Sequence, residues 1–454
     1  MSLSLGIAER LLTISAETIP ADVAREATIA VFDTVAVTLA GAAEPACLAA
    51  AKLAAPGDAT LFGRTGRVHP ADAAEINGIA AHILDFDCVA DTMAGHPMVQ
   101  LVPALFALGE SLDCTGQQFV AATVAGLETQ ARIAKGIAPP LGSAGWFSTS
   151  VLGMLGTAAG CAHLLGLDVA KTAHALGLAA NCASGLLGNA GSGAKSLAAG
   201  HAARCGMRAA QFAAAGITAA PDVFEHRQGF LAAFNPTGTS DPAAILADWG
   251  QPFDVAEPGL WIKQYPCCGI AHAPIDLLLA LKAEHGIGVA DVSGITIRLH
   301  PQRLAHVNRP RPQTPTEAAF SIQYCLARTL VTGAPRLEDF TPDAFSPPAI
   351  TETMRRVTTS IDPMMDAAST HYGKQFGASL TVATCDGHRF SASAIAPLGH
   401  SPRNPLPAAT LEAKFHNCAS RVLRPSAAAA LADALQDLPN ARSLREITAL
   451  AGGA

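Results

Sequence analysis

Residues 136 to 167 form an unbroken run without Asp, Glu, Lys or Arg. A stretch this long without charge has to be buried, in lipid or in protein. Pro139, Pro140 and seven glycines interrupt it, and its apolar part is rich in Ala and Gly. The run therefore predicts a helix from Thr149 to Leu167 buried inside a protein, with no membrane span. Gly153, Gly156 and Gly160 fall near one face of that helix, which lets a neighbouring helix approach closely.

Hiding such a segment requires a large helical interior. The chain has 454 residues, too many for one core, which suggests two or three domains. Half of it is hydrophobic, 15% is charged and only 5% is aromatic. Abundant small residues and scarce aromatics favour closely packed helices over a sheet-rich architecture. A net charge of -7 leaves no basic footprint for nucleic acid. Eleven cysteines include the pair Cys267-Cys268 and no Cys-x-x-Cys, unlike a disulfide framework or a zinc site. Reduced thiols, and an N-terminus without a signal-peptide pattern, predict a cytoplasmic protein.

Apolar periodicity predicts helices at 21–41, 71–86, 102–112, 118–137, 149–167, 169–183, 201–217 and 270–284. Beyond residue 290 the texture changes. Residues 294–300 and 356–361 have strand character, and 379–384 with 389–394 predict a hairpin on Asp386-Gly387. A helix is expected between them at 318–330, then a Pro-rich linker at 397–407, then helices 408–421 and 426–437. The predicted class is mainly α with an α+β second domain. The boundaries are 1–262 for an all-helical domain, completed by 405–454, and 263–404 for the α+β domain.

The chemistry-bearing side chains concentrate in Ala81–Pro97, AHILDFDCVADTMAGHP, which holds His82, Asp85, Asp87, Asp91 and His96. His82 and Asp85 stand three apart, so on a helix they share a face. Pro97 biases His96 towards extended backbone that points back at the helix end. Carboxylates and imidazoles close together suit proton transfer; a solvated acidic turn is the plainer alternative. A metal set of His82, Asp85 and His96 is conceivable, but the expectation is no metal.

Two further clusters stand out. Gly188–Ser196, GNAGSGAKS, fails as a phosphate loop because Ala194 precedes Lys195. What remains is Lys195 at the mouth of a Gly-rich loop before a helix, suited to an anionic ligand or to a lysine base. In Lys263–His272, KQYPCCGIAH, Lys263 alone reads as a surface lysine and His272 as a satisfied buried histidine. No Gly-x-Ser-x-Gly elbow is present.

Together these clusters resemble the MmgE/PrpD family. The similarity runs through AEINGIAAHILDFD, HPMVQLVPALFALGE, GWFSTSVLGMLGTAAG, KSLAAGHAARCGMRAAQFAAAGIT, VFEHRQGFLAAF, WIKQYPCCGIAH, EAAFSIQYCLARTLVTG and NPLPAATLEAKF. The resemblance implies a large helical domain, a smaller α+β domain to whose partner the last helices return, a homodimer, a small polycarboxylate substrate and no cofactor. It implies site roles for Asp85, His96, Lys195, Lys263 and His272; the first four are expected to be catalytic, and His272, with His82 and Tyr324, to bind substrate. This chain departs from the family pattern at several positions. Cys88-Val89 follow Asp-Phe-Asp where Asp-Thr is usual, Phe147 replaces a histidine, and so does Ala198. Decarboxylase-like relatives also carry a histidine near Cys268. Those losses remove proton donors that a lyase uses. Epimerisation of a small dicarboxylate of the iminodisuccinate type is therefore the expected activity, with bases on the two sides of the carbon next to a carboxylate. A cluster of cations is expected around the lysines to bring their pKa into a usable range. The alternatives are a hydro-lyase or decarboxylase of a citrate-like acid, such as 2-methylcitrate or cis-aconitate, and a lapsed polycarboxylate-binding homologue.

Overall fold

The computed structural model describes residues 2–345, 347–362, 375–400 and 404–453. Part of the expected Pro-rich linker, 401–403, lies outside them. The chain divides into two compact units, Met1–Ile262 with Ala408–Ala454, and Lys263–Pro407.

In the first unit the long helices are Ala21–Gly41, Pro70–His82, Met98–Leu112, Gly116–Lys135, Ser148–Leu164, Val169–Cys182 and Gly193–Ala214. Their ends follow local chemistry. Thr115 and Gln118 form a capping box, so that helix opens at Gly116 rather than at 118. His69 accepts the Ala71 N–H at the start of the next example, with Pro70 in its first turn. The charge-free run becomes Ser148–Leu164, with Ser148 through Ala162 buried.

Its glycines meet two neighbours. A Cβ at Gly156 would lie 2.7 Å from the Gly126 carbonyl oxygen, and one at Gly160 would lie 2.9 Å from that of Ala122. At Gly153 the Gln100 side chain fills the space. An equally close crossing joins helices 70–82 and 193–214. A Cβ on Gly200 would sit 2.3 Å from the Glu75 carbonyl, and one on Gly78 only 2.9 Å from the Gly200 Cα. Such contact leaves no room for a side chain between the backbones.

The expectation of an all-helical first domain needs one correction. Short antiparallel ribbons join Pro56–Thr60 to Arg67–Val68, Val89–Ala90 to Leu260–Trp261, and Ile137–Ala138 to Thr239–Ser240. Five of these six strands have two residues, too few for a periodicity to show, and the five-residue Pro56–Thr60 reads PGDAT without apolar alternation. No single helix among the described residues is long and apolar enough to cross a membrane; the pair Ala21–Gly41 and Pro45–Ala51 meets that test only together, across an 87° bend.

Helices Ala408–Ala419, Pro425–Gln436 and Leu444–Ala451 belong to the first unit. Phe415 stacks on Phe32 at 4.4 Å between ring centroids. Thr448 donates to Glu110, whose carboxylate also accepts from the Thr60 N–H and hydroxyl.

The second unit is built on one four-stranded sheet in the order 389–394, 378–384, 292–299, 357–361. The hairpin turns at Asp386-Gly387, with Gly387 at φ +93°. Strands 292–299 and 357–361 pair in parallel, through Ile297 with Thr359 for example. That pairing was not foreseen, because the connection between them is long. Helix His272–His285 packs on strands 378–384 and 389–394. The expected helix 318–330 is broken in two, Pro315–Ala319 and Ile322–Thr332. Ser321 causes the break by capping the second piece, accepting the Tyr324 N–H at 3.1 Å.

Candidate active site

Helix Pro70–His82 stops short of the predicted Phe86 because Asp85 adopts a left-handed backbone, φ 51°. His82 and Asp85 therefore do not share a helix face, and the expected spacing argument fails. The turn instead folds Asp87 back under His82. Both Asp87 oxygens lie 3.1 Å from His82 Nδ1.

Beyond Asp87 the chain makes a closed loop. Ala90 and Gly95 exchange backbone hydrogen bonds, and Ala94 turns at φ 49°. Ser148 Oγ donates to the Ala94 carbonyl at 2.9 Å, and the His96 N–H donates to Thr149 Oγ1 at 3.0 Å. Gly95 is required here, since a Cβ would come within 3.0 Å of both hydroxyls. Thr92 is tied to Asp254, which also holds Lys135 at 3.0 Å. So fixed, His96 places Nδ1 2.7 Å from Asp87 Oδ2 and 3.1 Å from the Cys88 carbonyl.

One buried carboxylate thus clamps two imidazoles. Burial pushes the Asp87 pKa up, but His96 and His82 outweigh it and hold the group well below the usual carboxylate range. Asp87 and the Cys88 carbonyl only accept, so each Nδ1 carries its hydrogen and each Nε2 faces away from the clamp. His82 is lowered to about 4, first by burial and then by the charge of Lys195, against the pull of Asp87. Its Nε2 is buried without a hydrogen-bond partner.

That shift predicts a pH effect on stability. The folded protein disfavours the imidazolium that the unfolded chain forms below pH 6.5. Unfolding therefore takes up a proton, and stability falls from pH 6.5 down to about 4. Between pH 7 and 5 the wild type is expected to lose about 2 kcal/mol more than His82→Phe in urea unfolding. Equal losses in the two proteins would exclude this role for His82.

Lys195 is the third residue of helix Gly193–Ala214, not part of the preceding loop. Its ammonium lies 2.5 Å from Asp85 Oδ1 and 5.9 Å from the centre of the Phe147 ring. Within the first unit its charged partner is a carboxylate. Phe147 stacks on His82 at 5.7 Å, and His82 meets His96 edge-on at 4.6 Å. Contacts therefore run from Asp85 through Lys195, Phe147 and His82 to His96. The Lys195 and His96 side chains each keep 12% of their exposure. An ammonium and an imidazole bracketing an apolar ring suit an anionic substrate and proton exchange with it.

The donor atoms of His82, Asp87 and His96 lie within 4.8 Å of one another, and two imidazoles with a carboxylate form a set that suits zinc. In the arrangement described both Nδ1–H groups are spent on Asp87. No metal is expected from the sequence, and the one set conceivable there had Asp85 where the structure brings Asp87.

Of the predicted residues, Lys195, Asp85, His96 and His82 come together in the first unit. Lys263, His272 and Tyr324 belong to the second. Lys263 is 2% exposed, so it is no surface lysine. His272 is fully buried, with Nε2 donating to the Cys267 carbonyl at 3.3 Å. The Tyr324 hydroxyl donates to the Asp339 carbonyl and accepts from Arg328 Nε at 3.0 Å. Burial foremost pushes that phenol up to about 12, and the side chain is locked within its own unit. Asp87 was missing from the predicted site. The signal for it was the tendency of Asp to adopt left-handed backbone at position 85.

Residues 6–242 match the model of the MmgE/PrpD N-terminal domain, and residues 265–440 that of the MmgE/PrpD C-terminal domain. The chain is 28% identical to cis-aconitate decarboxylase of Mus musculus over 419 residues, covering 87% of this chain and 81% of that protein. The Homo sapiens protein of that name is also 28% identical, over 87% of this chain and 82% of its own. Cis-aconitate decarboxylase of Aspergillus terreus is 26% identical, over 90% and 87%. With both domain models matched in order across most of its length, the chain belongs to the MmgE/PrpD family, whose enzymes act on small polycarboxylates.

Proposed function

We propose that this enzyme is a metal-independent lyase of a citrate-like polycarboxylate, of the cis-aconitate decarboxylase or methylcitrate dehydratase type. The observation that carries the proposal is an Asp87-oriented imidazole, His96, linked through His82 and Phe147 to the Lys195–Asp85 ammonium. The names of the relatives support this reading over the epimerase that the sequence departures favour. In a decarboxylation the bond to the departing carboxylate breaks and its electron pair moves into the remaining acid. Lys195 neutralises the charge that accumulates there and gives a proton to carbon as carbon dioxide leaves, while the free Nε2 lone pair of His96 serves as the proton acceptor of the site.

One observation favours a second reading. Phe147 occupies the wall between Lys195 and His82, where a protonatable side chain would serve a leaving group. Epimerisation needs no leaving group and tolerates an apolar residue there. The proposal also carries a cytoplasmic homodimer, from the cysteine usage and the family resemblance.

The test is incubation with cis-aconitate, 2-methylcitrate and iminodisuccinate in deuterated water, with and without chelator. Carbon dioxide or an unsaturated product, unaffected by chelator, is the expected result. Inversion with deuterium beside a carboxylate and no loss of carbon or water would replace the lyase with an epimerase. Binding without turnover would mark a lapsed site.

A further inference from the structure

Behind the catalytic turn lies a buried cation that the chemistry above does not use. Lys414 is 7% exposed and Asp33 is fully buried, and their charged atoms are 2.6 Å apart. Lys414 comes from helix Ala408–Ala419 and Asp33 from helix Ala21–Gly41. The same ammonium donates to the Phe86 carbonyl at 2.9 Å and lies 3.9 Å from the Phe86 ring centre. Phe86 stands between Asp85, which holds Lys195, and Asp87, which holds His96 and His82.

A buried ion pair is a poor source of stability, because desolvating two charges offsets their attraction. Its value here is directional. Asp33 neutralises the ammonium, which also donates to the Phe86 carbonyl. That peptide lies in a turn already bent by the left-handed Asp85, φ 51°, with no regular secondary structure of its own. A turn of this kind keeps its shape only when its surroundings determine it.

We infer that Lys414 is a positioning residue of the proton-transfer site: by holding the Phe86 carbonyl it sets the separation of Asp85 from Asp87, and through them that of Lys195 from His96. It touches no substrate. The inference rests on the proposed function for its effect on turnover, and on geometry alone for its effect on His96.

The variants are Lys414→Met and the double variant Asp33→Asn/Lys414→Met. The double variant removes both charges, so no orphaned carboxylate remains to prevent folding. The first readout is the His96 Nδ1–H proton resonance in the double variant, shown to be folded by circular dichroism. Losing the brace lengthens the bond to Asp87 and moves this signal upfield. The second is turnover: kcat falls by roughly 10- to 100-fold, as for a sub-ångström to ångström misplacement, while KM changes little because the substrate contacts remain. An unmoved His96 signal in the folded double variant overturns the inference, whatever the turnover. So does a moved signal with wild-type kcat. If the wild-type protein turns over none of the three acids, the functional reading fails while the His96 signal still tests the brace.

Discussion

Lys195→Ala is expected to lower turnover by ~10²–10⁴-fold, the range for loss of a positioned proton-transfer group. Lys195 lies in the first turn of its helix, and the close crossing that seats the helix is made further on, at Gly200. The helix is therefore seated without the lysine side chain, and the double variant Asp85→Asn/Lys195→Ala, which leaves no orphaned carboxylate, controls for the lost ion pair. If Lys195 only grips a substrate carboxylate, alanine weakens binding and saturating turnover is nearly kept. Lys195→Arg divides the roles. Arginine keeps the charge and can still face Asp85, but its proton cannot be removed near neutral pH. Saturating turnover within a few-fold of wild type in Lys195→Arg would leave Lys195 as a clamp and remove it from proton transfer.

Asp87→Asn carries the other large effect. The carboxylate accepts from His82 and His96 at once, at 3.1 and 2.7 Å. An amide offers one oxygen, and its nitrogen donates towards an Nδ1 that must then give up its hydrogen. At least one imidazole switches tautomer, and an Nε2 that carried a lone pair becomes a donor. Where an orienting carboxylate fixes a catalytic histidine, this exchange costs up to ~10⁴-fold in turnover. The expected result is a loss of ~10²–10⁴-fold with overall shape kept. Steady-state kinetics beside the imidazole proton spectrum would check it. Wild-type turnover with an altered tautomer at His96 would remove His96 from the chemistry.

Much of this was legible in the sequence, for different reasons in different places. Long helices announce themselves by apolar spacing, and Gly153, Gly156 and Gly160 announced close packing before any neighbour was known. The cluster at 81–97 was visible because charge is scarce elsewhere. Its internal pairing was not. Spacing assigns His82 to Asp85 only if the helix continues, and one left-handed residue at Asp85 re-pairs His82 with Asp87. The sequence likewise named Lys195 while leaving its contact with Asp85, 110 residues distant, out of reach. The bonds from Tyr324 to Arg328 and Asp339 are invisible without a fold. Phe147 was noted as a departure, but only its position against His82 and Lys195 makes it part of the wall.

The return of residues 408–454 to the first unit has a consequence for the order in which a ribosome delivers the parts. Lys195, Asp85, Asp87, His82 and His96 have all been synthesised by residue 195, yet Lys414 follows more than two hundred residues later. In between, the whole of 263–407 leaves the exit tunnel. On the inference made above, a nascent chain with every proton-transfer group already present still carries an unbraced turn at Phe86. Competence is then acquired late, when the tail docks, and a growing chain is kept from premature chemistry by the sequence order of its own segments.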